Sequence, residues 1–131
     1  MNKWSIIISL FVLFSSCKKH VENKLIGTWH YYYLSAADTG ITQLWTFNNS
    51  SELIRVIHRQ DSLFYDTATW KVDKKFAEPS LLEISGLDGY FDGTYQILKL
   101  NKKFLYLQRT SLFSGSSNGA FLRLEFAKES L

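Results

Sequence analysis

Between Leu25 and Lys128, runs rich in aromatic and β-branched residues alternate with turn-forming residues. The turn signals recur about every 8–12 positions, and that spacing restricts the chain to an all-β fold. The first run, Leu25–Ser35, carries large apolar groups on both faces: Gly27, Trp29, Tyr31 and Tyr33 on one, Ile26, Thr28, His30, Tyr32 and Leu34 on the other. A turn over 36–40 leads to Ile41–Phe47, and Asn48-Asn49-Ser50 leads to Glu52–His58. Arg59-Gln60-Asp61 precedes Ser62–Val72, and the loop 73–80 precedes Leu81–Ser85. Gly86-Leu87-Asp88-Gly89 and Asp92-Gly93 turn the chain into Thr94–Leu100. Asn101-Lys102 makes a tight link to Lys103–Thr110, and a Ser/Gly-rich loop over 112–119 precedes Gly119–Lys128. No helical period follows residue 16, so 17–24 reads as a polar linker. Short consecutive connections favour an antiparallel meander. Closing eight such strands removes both bare edges. The expectation is an antiparallel up-and-down eight-stranded β-barrel, wide enough for its own side chains or one small ligand.

Ahead of the β-rich region lies a different kind of segment. Lys3 precedes the eleven-residue apolar run Trp4–Phe14, and Ser15-Ser16-Cys17 follows. A membrane-crossing helix needs about 20 apolar residues, so the run is too short to span. The order of charge, apolar run, small residues and cysteine resembles a bacterial lipoprotein signal peptide, with Phe14 where the lipobox pattern prefers leucine. The resemblance implies that residues 1–16 are removed and that Cys17 is acylated, for example with palmitate. Two or more acyl chains give a stable membrane anchor where one does not. The alternative is an ordinary secretory signal with a chance cysteine. An acidic run after the cysteine resembles a surface-export signal, and none is present. The expected location is therefore the periplasmic side of a bacterial outer membrane. Lys18, Lys19 and His20 form a basic cluster beside the anchor. It reads as a solvated tether, or as a contact for anionic headgroups.

The 131 residues amount to one domain's worth. Fifteen Lys and Arg against twelve Asp and Glu give +3, with the basic residues dispersed. That pattern does not argue for nucleic acid. Cys17 is the single cysteine, so no intramolecular disulfide can form. The histidines His20, His30 and His58 have no second ligand at metal spacing. No Gly-x-Ser-x-Gly, phosphate-binding glycine loop or paired carboxylates occur. Asp88 and Asp92 flank glycines and read as turn residues. The sequence thus nominates no catalytic residue, metal or cofactor, and the chain is not expected to be an enzyme. Its aromatic content of 16% is high. Trp45, Phe47, Tyr65, Trp70, Tyr95 and Tyr106 are the candidates for lining a ligand cavity. The competing reading is that a small barrel needs such groups to fill itself.

Leu25-Ile26-Gly27-Thr28-Trp29 resembles the Gly-x-Trp signature on the first strand of lipocalins and other calycins. Trp45-Thr46-Phe47-Asn48 is similar to the second strand of bacterial lipocalin-like domains, and Phe121–Phe126 resembles the last strand. The resemblance covers roughly Leu25 to Lys128 and implies a lipocalin-like domain over 25–131. It implies a lid over one barrel end in which Arg123 packs on Trp29. It also implies a membrane-anchored envelope lipoprotein that binds a small hydrophobic or aromatic ligand. The alternative is a non-enzymatic interaction or assembly protein with a packed core.

Overall fold

Each strand pairs antiparallel with the next, and the last returns to the first, giving a closed eight-stranded barrel without crossovers. The computed structural model describes residues 7, 17–32, 40–75, 77–112 and 121–129. The strands are β1 Gly27–Tyr31, β2 Ile41–Phe47, β3 Glu52–Arg59, β4 Ser62–Asp73, β5 Leu81–Ser85, β6 Gly93–Leu100, β7 Phe104–Ser111 and β8 Arg123–Lys128. The antiparallel meander expected from the turn spacing is the fold that forms. Most of the expected signal segment 1–16, the expected turn at 36–39 and the expected loop at 113–119 lie outside the described residues.

Alternation along each strand decides what fills the barrel. Trp45 and Phe47 of β2, Trp70 and Val72 of β4, Leu105 and Leu107 of β7, and Leu124 and Phe126 of β8 are all buried. Their rings meet edge to face: Trp45 lies 5.0 Å from Phe126, and Phe47 lies 5.5 Å from Trp70. Such pairs add about 0.5–1.5 kcal/mol beyond the area they bury. The Trp70 indole N–H donates to the carbonyls of Asn48 and Glu52 at 3.2 and 3.1 Å. Among the described residues no buried side-chain nitrogen or oxygen lacks a partner.

Two expectations fail at the end of the barrel where the chain enters. Residues 17–25, read as a polar linker running into a strand, form a helix, α1. Val21 and Leu25 are four residues apart and share one helix face. Leu25 is fully buried and Val21 packs against the same core. Lys18 and Lys19 each approach Glu22 at 3.9 Å. Exposed pairs of that kind contribute little, so burial of Leu25 is the main hold on α1. Two apolar residues within a polar stretch made too faint a period to read.

The second correction concerns the lid over Trp29, which the family resemblance assigned to Arg123. The residue in that place is Lys128. Its ammonium stands 4.4 Å from the Trp29 ring centroid and donates to the Ile26 carbonyl at 2.9 Å. Register explains it, because Lys128 lies opposite Trp29 across the β1–β8 pair. Arg123 is an odd number of residues away and so points outward, where it meets Glu125 at 3.0 Å. Gly27 makes the lid fit. Its φ is +133°, and a Cβ there would collide with Lys128 Nζ and stand 2.9 Å from Cε. Trp29 itself is fully buried, and its indole N–H donates to the Leu25 carbonyl at 2.8 Å. Helix α1, the first-strand tryptophan and the last-strand lysine thus close one end together.

The β3–β4 turn and the β5–β6 loop lie at the opposite end. There β4 outruns its neighbour. It pairs with β3 from Ser62 onward but with β5 only from Thr69. Among the described residues, 62–68 therefore have a strand on one side alone.

Candidate functional site at the barrel mouth

Three inward positions near the mouth carry polar side chains: Gln43 on β2, Arg55 on β3 and Arg109 on β7. Each is 5% exposed. They occupy the same alternating register as Trp45, Leu53 and Leu107, so the strands point them into the barrel. Gln43 Oε1 accepts the Trp45 indole N–H at 3.0 Å. Arg55 donates to Asp66 Oδ2 at 2.6 and 3.1 Å and to Asp88 Oδ2 at 3.0 Å. Arg109 Nη1 donates to the carbonyls of Tyr90 and, at 3.2 Å, Asp92. Buried guanidiniums are costly unless their donors are taken up. Here two of the takers, Asp88 and the Tyr90–Asp92 backbone, belong to one loop.

That loop, residues 86–92, folds across the mouth. The Asp92 carboxylate accepts the backbone N–H groups of Gly86, Leu87 and Asp88 at 3.1, 2.8 and 3.3 Å. Asp88 Oδ1 accepts those of Tyr90 and Phe91 at 2.9 and 2.8 Å. Both aspartates thus perform the turn duty expected of them, and Asp88 also reaches Arg55. The loop drops the Phe91 ring into the barrel. The ring lies edge-on to Trp45 at 5.4 Å and to Tyr31 at 6.3 Å. The Arg55 guanidinium carbon sits 5.2 Å from its centroid. The Tyr95 hydroxyl donates to the Phe91 carbonyl at 2.5 Å.

Burial pushes the Tyr95 hydroxyl well above its ordinary pKa of 10.0, against the lowering effect of Arg109. A raised folded pKa means that Tyr95 supports the fold below pH 10 and that this support is lost as pH rises beyond it. Burial lowers the pKa of Lys128, which has the opposite slope, with stability rising as pH climbs towards 10.5. A Tyr95→Phe variant shares the Lys128 effect, so the difference from wild type isolates the tyrosine. Urea melts at pH 7 are expected to show a loss of about 0.5–1.5 kcal/mol from the missing hydrogen bond. Melts above pH 10 are expected to show the gap closing.

The six aromatic residues nominated for a cavity divide. Trp45, Phe47, Trp70 and Tyr95 point inward and pack into the core. Tyr65 and Tyr106 do not line the interior. Tyr65 is 67% exposed, because β4 turns Ala68, Trp70 and Val72 inward and the odd-numbered residues outward. Tyr106 alternates with the buried Leu105 and Leu107. It lies outside, 5.3 Å from the Lys99 ammonium and 5.7 Å from the Arg123 guanidinium. Three recesses of about 650, 450 and 330 Å³ open to solvent along the β2–β3 turn and β4–β5, and beside α1. Of the six nominated residues only Trp70 borders one of them. Among the described residues no cluster of three His, Cys, Asp or Glu could hold a metal.

Arg55, Arg109 and Gln43 were not nominated from the sequence, although a signal existed. Gln43 and Arg55 each stand between apolar second neighbours, and Arg109 follows Leu105 and Leu107 in the same alternation. Compared with known proteins, no family model, curated protein or solved structure matches this chain.

Proposed function

We propose that this chain is a bacterial envelope lipoprotein, anchored through acylated Cys17, whose lipocalin-like barrel binds a small hydrophobic or aromatic ligand at its mouth. The observation that carries the reading is what occupies the mouth. An aromatic wall of Trp45, Tyr31 and Phe126, with buried Gln43, Arg55 and Arg109, is filled by Phe91, which comes from a loop and not from a strand. Mostly apolar walls with a few placed polar groups suit a small molecule. Cys17 is exposed on α1 at the closed end, so an anchor there leaves the mouth facing away from its leaflet. Among the described residues no helix is long and apolar enough to cross a membrane.

Two measurements test this reading. Cys17→Ser is expected to move the protein from the membrane pellet to the soluble fraction and to abolish labelling by radioactive palmitate. Membrane retention of the unlabelled variant would end the anchor. Native mass spectrometry of the purified protein is expected to show a co-purifying small molecule. A bare mass, with no thermal shift from any apolar compound, would end the binding reading.

The second reading, an interaction or assembly protein, has its own support. Leu63, Phe64, Tyr65, Tyr90 and Phe121 are exposed large apolar residues at the mouth end. Together with the one-sided stretch of β4 they form a surface suited to strand addition. A photo-cross-linking residue in place of Tyr65 is expected to trap one consistent protein in membranes. Random neighbours would end this reading.

A further inference from the structure

The loop across the mouth fills it with an aromatic ring, Phe91, and a carboxylate, Asp88. Its internal bonds make residues 86–92 one folded unit, since the Asp88 and Asp92 carboxylates together take up five of its backbone N–H groups. The unit is bounded by two glycines in the left-handed region, Gly86 at φ +89° and Gly93 at +147°. A side chain at Gly93 would press on the Ser111 carbonyl and on Arg109 Cδ, at 2.6 and 2.7 Å. The unit meets the barrel through the Leu87 side chain and the Phe91 ring, both buried in the core, through the Asp88 carboxylate on Arg55, and through the carbonyls of Phe91, Tyr90 and Asp92 on Tyr95 and Arg109.

Charge decides what could take the lid's place. With the lid seated, Arg55 holds the Asp66 and Asp88 carboxylates, and Arg109 holds the backbone carbonyls of Tyr90 and Asp92. Lifting the lid takes one of its two carboxylates from Arg55 and these two carbonyls from Arg109, inside a mouth walled by aromatic rings. A buried guanidinium deprived of a carboxylate favours another anion in its place. Geometry narrows it further, because one guanidinium, Arg55, meets a carboxylate oxygen at 3.0 Å and an aromatic ring centroid at 5.2 Å at the same time. A carboxylate carried on an aromatic ring system offers Arg55 both kinds of group at once. We propose that the mouth of this barrel takes a small aromatic carboxylate in exchange for Phe91 and Asp88, with the 86–92 loop swinging out as a hinged lid.

This inference rests on the binding reading above, and the test separates the two. The probes are 2-naphthoate and its uncharged counterpart 2-naphthamide, titrated into the processed protein in nanodiscs and followed by tryptophan fluorescence and calorimetry. Naphthoate is expected to bind at least tenfold more tightly than the amide. Phe91→Leu and Asp88→Asn, which weaken the lid's own hold, are each expected to tighten naphthoate binding several-fold. Arg55→Gln is expected to remove the preference for naphthoate while leaving amide binding in place, and Arg55→Lys to restore part of it. Amide and acid binding equally in every variant would overturn the carboxylate assignment and leave an apolar site standing. Binding by neither probe, in wild type or in the folded Phe91→Leu variant, would overturn both. Naphthoate binding with backbone amide signals of 86–92 unmoved in NMR spectra would overturn the exchange.

Discussion

Trp29→Ala is expected to destabilise the barrel by about 3–5 kcal/mol, the range for removing a large buried aromatic. Three separate losses meet at this residue. The indole fills the closed end with no exposure. Its N–H satisfies the Leu25 carbonyl at the end of α1. Its face carries the Lys128 ammonium, a contact that contributes about 0.5–2 kcal/mol when partly desolvated. Domains of this size have about 5–15 kcal/mol in total, so the variant loses a large share of its stability. Urea melts give the number, and helical circular dichroism should report loosening of α1 before the barrel unfolds. Lys128→Met keeps the stem over the ring and removes the charge, so its loss is expected to stay near 1 kcal/mol. Arg123→Ala is expected to be close to neutral, since its partner Glu125 lies outside the barrel. An Arg123 effect larger than that of Lys128 would overturn the assignment of the lid.

Arg55→Ala is the second large effect, expected at about 3 kcal/mol. Breaking a buried ion pair by removing one partner costs about 3–5 kcal/mol, because the other charge is left uncompensated. The Arg55 side chain is 6% exposed, whereas Asp66 and Asp88 are each 39% exposed. Water can therefore reach the stranded carboxylates, which places the loss at the low end. Arg55→Met combined with Asp66→Asn and Asp88→Asn removes the whole charge cluster and is expected to recover most of the loss. A cycle of Arg55→Met with Asp88→Asn measures the coupling between barrel wall and lid, expected at about 1–3 kcal/mol. No coupling would mean that the Arg55–Asp88 pair adds nothing to the hold on the lid.

Much of the fold was legible for a simple reason. In a barrel of short antiparallel hairpins each turn is local, so Asn48-Asn49, Gln60-Asp61 and Asn101-Lys102 mark strand ends without knowledge of the rest. β2 and β5 begin and end where the residue pattern placed them. The site was less legible. Trp45, Phe47, Trp70 and Tyr95 were named as a cavity wall and lie inside, but they pack into the core, Phe47 on Trp70 and Trp45 on Phe91 and Phe126, and Tyr65 and Tyr106 fall on the outer faces. Aromatic identity marks a residue as bulky and says nothing of which side of a strand it takes. Alternation says that, and it also held the signal for Lys128. Leu124, Phe126 and Lys128 share one face of β8, and Arg123 lies on the other.

The sequence by itself determined an eight-stranded antiparallel meander, because turn chemistry and the two-residue period act between near neighbours. Only the tertiary structure decided that α1 packs under the closed end, that Lys128 covers Trp29, and that loop 86–92 fills the mouth with Phe91 between two buried arginines. Those features depend on residues dozens of positions apart meeting once the barrel has closed. Lys128 and Ile26 are 102 residues apart, and Arg55 and Asp88 are 33 apart. No local pattern carries such pairings; the register of the closed sheet does.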